Sequence, residues 1–140
     1  MMVFSLDSLT AGNNASSTPV YPAFNKDVIA VTALNQDYQL AVLANFGDWV
    51  DAAAPGEDII STVPGDDYSY ETGTSFAAAH VSGLAALLYN TVKDLNKNGQ
   101  INDEVRYFLE NYCREIDEAG TGKGIIDAAA SLAAAYAANR

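Results

Sequence analysis

Apolar and polar positions fall into two regimes along this chain. In the first half, short β-branched runs alternate with turn residues. Val28-Ile29-Ala30-Val31-Thr32-Ala33-Leu34 reads as a buried strand. It is preceded by the turn-rich segment Gly12 to Pro19 and followed by the Asn35-Gln36-Asp37 turn. Trp49-Val50 begins a second extended piece that stops at Ala54-Pro55-Gly56. Ile59 to Val63 is a third, closed by Pro64-Gly65-Asp66-Asp67. The second half is helical. Phe76 to Asn90 is apolar nearly all round, which predicts a helix buried on every side, with Gly83 allowing close packing. After the polar loop Asp94 to Asn102, Val105, Phe108, Leu109 and Tyr112 recur at helical spacing. Asn102 is the expected N-cap, with Asp103 and Glu104 in the first turn. Gly120 to Gly124 predicts a tight loop, Ile125-Ile126 a short extended piece, and Asp127 or its neighbours the start of an alanine-rich terminal helix. No internal repeat or linker interrupts residues 1–140.

Composition narrows the function classes. The 140 residues suffice for one compact domain. The net charge is −11, and the seven basic residues do not cluster, which argues against nucleic-acid binding. The acidity reads as solubility. Cys113 is the single cysteine, so no internal disulfide forms, and its neighbours Phe108 and Tyr112 suggest a packed thiol. Met1 to Asn14 lacks the basic and apolar regions of a signal peptide. Val81 to Tyr89 is too short to span a bilayer, and no membrane partner is expected.

The candidate chemistry lies where the two regimes meet. Ser75 follows Gly73-Thr74 and stands at the start of the apolar helix. A helix start offers free N–H groups and a partial positive charge, which stabilise an oxyanion forming beside a serine hydroxyl. Serine is also a common helix cap, and local context alone favours the cap.

The longer run changes that reading. Gly73-Thr74-Ser75-Phe76-Ala77-Ala78-Ala79-His80-Val81-Ser82-Gly83 closely resembles the serine motif of subtilisin-like serine proteases. Phe76 stands where that family usually has Met. Ala79 stands where it usually has Pro, which should leave the helix straighter. Ala11-Gly12-Asn13, Val28-Ile29-Ala30-Val31, Ala54-Pro55-Gly56 and Gly122 to Ala128 resemble further family segments in the same order, so the likeness covers about residues 10 to 135. It implies an α/β fold: the C-terminal half of a subtilisin-like parallel sheet flanked by helices, so that 1–140 is a partial peptidase domain.

The resemblance also implies roles. Ser75 would attack the scissile carbonyl of a peptide or protein substrate. The Ser75 N–H and the Asn13 amide would hold the oxyanion, with Thr74 assisting. Without the family, Asn13 reads as a loop asparagine bonding its own backbone. Thr10, Ala11 and Gly12 would form a wall of the S1 pocket. Matching Tyr21-Pro22 to the family's Tyr-Pro places Val20 near the floor of that pocket, implying small or medium P1 side chains. No organic cofactor is implied, and many members bind structural Ca²⁺. The family also implies an extracellular setting.

The same comparison implies a missing part. A serine needs a base to become a nucleophile. His80 is the single histidine, five positions on, which places it ~140° around the helix and ~7.5 Å along it. It is expected to be a satisfied core residue. The family's catalytic Asp and His lie upstream of Asn13, and neither motif is present. Phe4-Ser5-Leu6-Asp7-Ser8-Leu9 also puts polar residues where the family has a Val- and Ala-rich strand. A truncated or re-initiated frame would explain both, and the isolated chain is expected to be inactive and poorly stable. Two alternatives stay open: a non-catalytic remnant or binding module, and one half of a split protease completed by a separate N-terminal half.

One motif lies outside this scheme. Asp94, Asn96 and Asn98, followed by Gly99-Gln100-Ile101, match the first eight positions of an EF-hand-type loop. Val105 occupies position twelve, and Glu104 is one residue early. These are weak metal candidates, and a polar turn before a helix is the favoured reading.

Overall fold

The computed structural model describes residues 6–140. Met1 to Ser5, and with them the Phe4-Ser5 part of the polar opening, lie outside the described residues. Three strands form a parallel sheet in the order β1 (Asp7–Thr10), β2 (Val28–Leu34), β3 (Ala52–Pro55). β2 pairs Val28 with Asp7 and Val31 with Ala52, and all seven of its residues are buried. That fits its unbroken apolar run, since a central parallel strand is covered on both faces. β1 forms despite its polar residues. It is the edge of the sheet, and Ser8 finds partners in Ser82 Oγ at 2.7 Å and the Ala78 carbonyl at 3.1 Å.

Ile59–Val63 is a strand, but it does not join this sheet. It is β4 of a separate antiparallel hairpin with β5 (Asp67–Glu71). β5 was not foreseen, because Tyr68-Ser69-Tyr70-Glu71 has no apolar run. Its pairing comes from the tight turn at Asp66 and Gly65, both at positive φ. Ile60, Tyr68 and Tyr70 stand exposed on the hairpin.

Helix α1 (Thr74–Tyr89) lies across all three parallel strands, with α2 (Asn102–Asn111) and α3 (Ala128–Ala138) packed against it. The core joins Ile29, Val31, Ala33, Ala52 and Ala54 of the sheet to Val81, Leu84 and Leu88 of α1 and to Val105, Phe108 and Leu109 of α2. α1 is not buried all round. Thr74, Ala77, Ala78, Val81, Leu84, Ala85 and Leu88 form one buried stripe. Ala79, Ser82, Gly83, Ala86 and Leu87 on the other side are exposed. Asn102 is the first residue of α2 rather than its cap, while Asp127 does cap α3, accepting the Ala130 N–H at 2.9 Å.

The opposite face of the sheet is covered by loops. The Thr32 hydroxyl donates to the Asn45 carbonyl at 2.6 Å on that face, while Ile125 pairs in parallel with Ala53 along the outer edge of β3. The Gly120–Gly124 loop is as tight as expected: a Cβ on Gly122 would lie 2.4 Å from the Asp51 carbonyl. Asp51 accepts the Ala30 N–H at 2.8 Å and pairs with Arg106 at 3.1 Å, and Arg106 also binds Glu110 at 2.6 Å. This polar staple fixes α2 to the sheet. Burial pushes the Glu110 carboxyl up, against the opposing pull of Arg106. Cys113 sits just beyond α2 against the core, donating to the Leu109 carbonyl, and burial pushes its thiol up to about 11.

Candidate active site

α1 starts at Thr74, with Gly73 as N-cap. The first four N–H groups at a helix start, here those of Gly73 to Phe76, lack carbonyls one turn back, so each must find another partner or remain open, and the Gly73 N–H donates to the Gly56 carbonyl at 2.7 Å. The Thr74 N–H donates to Asn13 Oδ1 at 2.9 Å, and the Phe76 N–H to the Gly73 carbonyl at 3.1 Å. Among the described residues the Ser75 N–H has no partner, and neither has the Ser75 hydroxyl. Ser75 is exposed, whereas Thr74 beside it is completely buried. Ser75 therefore does not act as a cap.

Thr74 gathers the other candidates. Its hydroxyl bonds Thr10 Oγ1, receives the Gly12 N–H at 3.2 Å and donates to Asn13 Oδ1 at 3.1 Å. Two donors on one oxygen decide the orientation of the Asn13 amide: Oδ1 faces Thr74, and Nδ2 faces away. Nδ2 has no acceptor among the described residues and lies 3.4 Å from the point a Cβ on Gly73 would occupy. The start of α1 thus carries an exposed hydroxyl and two open N–H donors. Thr10, Ala11 and Gly12 lead into this corner directly from β1, and Val20 Cγ2 lies 3.7 Å from a Cβ built on Gly12. The structure brings together Thr10, Ala11, Gly12, Asn13, Val20, Thr74 and Ser75.

His80 is not part of the core. It is exposed, and its Nδ1 lies 2.9 Å from the Phe76 carbonyl on its own helix. The face of α1 that carries it is the uncovered one, so the expectation of a packed histidine failed with the expectation of all-round burial.

Asn45 is the residue that sequence reasoning missed. It is fully buried, and its side chain accepts the Asn14 N–H at 2.9 Å and the Ser16 N–H at 3.1 Å and donates to the Ala11 carbonyl at 2.9 Å. Its own N–H donates to the Gly12 carbonyl at 2.8 Å. Asn45 therefore shapes the loop that presents Asn13. Gly12 has φ +103, and a Cβ there would lie 2.6 Å from Asn45 Nδ2, so this position requires glycine. Nothing local marks Asn45: in Leu43-Ala44-Asn45-Phe46-Gly47 it reads as an ordinary loop residue.

A serine hydroxyl at a helix start, beside unoccupied N–H donors, has the form of a serine hydrolase site. The Subtilase family model matches residues 5–124. A thermophilic serine proteinase of Bacillus sp. strain AK1 is 47% identical over 111 residues, covering 79% of this chain and 26% of that protein. Thermitase of Thermoactinomyces vulgaris is 36% identical over 120 residues, 84% of this chain and 40% of that protein. Among solved structures, a protease of Pseudoalteromonas arctica superposes with a TM-score of 0.81 at 30% identity, over 90% of this chain and 41% of that one. The chain belongs to the subtilase family of serine proteases. It spans less than half the length of each of these three relatives.

Proposed function

We propose that this chain supplies the nucleophile and oxyanion-binding side of a serine endopeptidase. The observation that carries the reading is the pair of open donors, Ser75 N–H and Asn13 Nδ2, beside the exposed Ser75 hydroxyl. In this reading the Ser75 oxygen attacks the scissile carbonyl of a peptide or protein. The carbonyl oxygen gains charge, and both donors strengthen their bonds to it in the transition state. Collapse of the intermediate expels the amine and leaves an acyl-enzyme on Ser75, which water hydrolyses. Thr74 is a positioning residue, and Thr10, Ala11, Gly12 and Val20 bound the pocket for the P1 side chain. The reading needs no organic cofactor. Family resemblance favours an extracellular setting, and no helix among the described residues is long and apolar enough to cross a membrane.

The base belongs elsewhere in this reading. His80 is the one histidine, and it is turned to the Phe76 carbonyl. The proposal therefore includes a second element carrying the base histidine and its acid. Two surfaces support a partner half of the same domain over a lone binding module: β1, which ends the parallel sheet among the described residues, and the exposed small-residue face of α1 at Ala79, Gly83 and Ala86. Fluorophosphonate labelling tests both parts. This chain alone should label at Ser75 no faster than a surface serine. The whole enzyme, with the upstream half present, should label stoichiometrically. Rapid labelling of the isolated chain would remove the need for a partner, and no labelling of the whole enzyme would refute the nucleophile.

A further inference from the structure

The loop between α1 and α2 carries a chemistry independent of Ser75. Its opening resembles a cation loop, but the folded chain does not gather that ligand set. Asn96 Oδ1 accepts the Asn98 N–H at 2.9 Å, and Asn98 Oδ1 accepts the Gln100 N–H at 2.8 Å. Among the described residues no group of three or more His, Cys, Asp or Glu side chains could hold a metal ion. What the loop does gather is a reactive pair. Asn98-Gly99 is the single Asn-Gly in the chain. Such a pair commonly marks a turn and nothing more, and Gly99 does stand at φ +85. Its surroundings go further than a turn requires.

Each atom of an intramolecular acyl transfer has a partner here. The nucleophile would be the Gly99 nitrogen, whose N–H donates to Asp94 Oδ2 at 2.8 Å. The electrophile would be the Asn98 side-chain carbonyl, whose oxygen receives the Gln100 N–H at 2.8 Å. The leaving group would be Asn98 Nδ2, which donates to Asp103 Oδ2 at 2.8 Å. A donor on one side and a carboxylate on the other fix which way this amide faces. Asp94 is itself held, accepting the Asn98 N–H on Oδ1 at 3.1 Å. Asn98 and Gly99 are exposed, and a Cβ on Gly99 would meet nothing within 4 Å, so neither attack nor water is obstructed.

We propose that Asn98-Gly99 is a self-modification site, where the loop converts asparagine to aspartate and isoaspartate with water as co-reactant. Asp94 takes the Gly99 amide proton, and the nitrogen forms a bond to Asn98 Cγ. The carbonyl electron pair moves onto Oδ1, where the Gln100 N–H stabilises it. As the pair returns, the Cγ–Nδ2 bond breaks, and the proton held by Asp94 leaves with the nitrogen as ammonia. Water then opens the resulting succinimide at either of its carbonyls. The product replaces the amide that faced Asp103 with a carboxylate, in a loop that already holds Asp94 and Glu104. Like charges at hydrogen-bonding distance repel. That repulsion loosens the start of α2, where Glu104 accepts the Leu95 and Asn96 N–H groups. α2 packs on α1, so a molecule loses stability as it ages.

The test is incubation of the full chain at mildly alkaline pH, followed by peptide mapping by mass spectrometry. Asn98 should gain the mass of an NH₂-to-OH exchange, with isoaspartate in the product and ammonia released. Asn96 is the internal control. It also donates to Asp103 Oδ2, at 2.6 Å, but the Lys97 N–H after it has no carboxylate partner among the described residues, so it should stay unmodified. The folded chain should react about tenfold faster than the chain in urea, where the pair is present without its partners. Asp94→Asn should slow the folded chain about tenfold or more. If that variant does not fold, the comparison in urea needs no variant. An equal or faster reaction in urea would overturn the proposal. So would an equal rate at Asn96, or an undiminished rate in folded Asp94→Asn. The modified fraction should melt at a lower Tm than the unmodified one, and an equal Tm would overturn the consequence for α2.

Discussion

The Thr74 N–H donates to Asn13 Oδ1 at 2.9 Å, and this bond turns the amide nitrogen of Asn13 outward. A donor that is aimed before substrate arrives costs no reorganisation when charge develops. Replacing Asn13 with Ala in the complete enzyme should lower kcat by ~10²–10³ with little change in KM, measured on a peptide substrate. That magnitude is the one established for such an asparagine in a subtilisin and is carried over. A rise in KM at constant kcat would assign Asn13 to ground-state binding instead.

Thr74→Val keeps the shape of the side chain but removes the hydroxyl that joins Thr10, Gly12 and Asn13. The backbone bond to Asn13 survives, so the amide should stay aimed but less firmly. We expect a kcat loss of about tenfold and a stability loss of about 1–2 kcal/mol by urea denaturation. Loss of stability with unchanged kcat would show that Thr74 only packs.

Asn45→Ala should cost more in stability than either change. It strands the Ala11 carbonyl in a buried place and the Asn14 and Ser16 N–H groups in a half-buried one, a loss of about 3 kcal/mol on the scale of a few unsatisfied groups. Chemical denaturation measures it. An effect below ~1 kcal/mol would mean that water replaces the side chain at little cost.

Cys113 should resist alkylation. With its thiol pushed up to about 11, first by burial and then by Glu110 and Asp127, almost no thiolate exists at pH 8. A thiol reagent should modify it slowly in the native protein and rapidly in denaturant. Equal rates would place Cys113 at an open surface.

Glu110 should give stability a pH slope. Burial raises its folded pKa above the ordinary 4.5, so the folded state holds the proton more tightly than the unfolded chain. Its contribution is then fully present below pH ~4.5 and is lost as pH rises through the folded value. Glu110→Gln should flatten the dependence of Tm on pH in the window just above 4.5. A slope unchanged in the variant would assign it to other carboxylates.

Much of this was legible in the sequence, for identifiable reasons. Val28–Leu34 carries an unbroken apolar run because a central parallel strand is buried on both faces. Ser75 and Asn13 became candidates through the longer motifs around them, since local context favoured a helix cap and a loop asparagine, and the structure places both at the start of α1. What stayed hidden depends on contacts distant in sequence. Asn45 acts on residues about thirty positions away, and no local pattern reports that. The apolar composition of α1 suggested cover on every side, but composition does not say which residues provide the cover. Glu104 looked like a first-turn acid at a helix start, and only the folded loop shows one of its oxygens without a partner.

The bond from Thr74 to Asn13 spans 61 positions, and the contact between Thr10 and Thr74 spans 64. Closing such loops is entropically unfavourable until the strands and the helix between them have docked. A nascent or half-folded chain therefore has a serine but nowhere to place negative charge. If Ser75 is the nucleophile, its competence appears only in the last stage of folding, so the order of assembly itself delays the moment at which the protein could cut its neighbours.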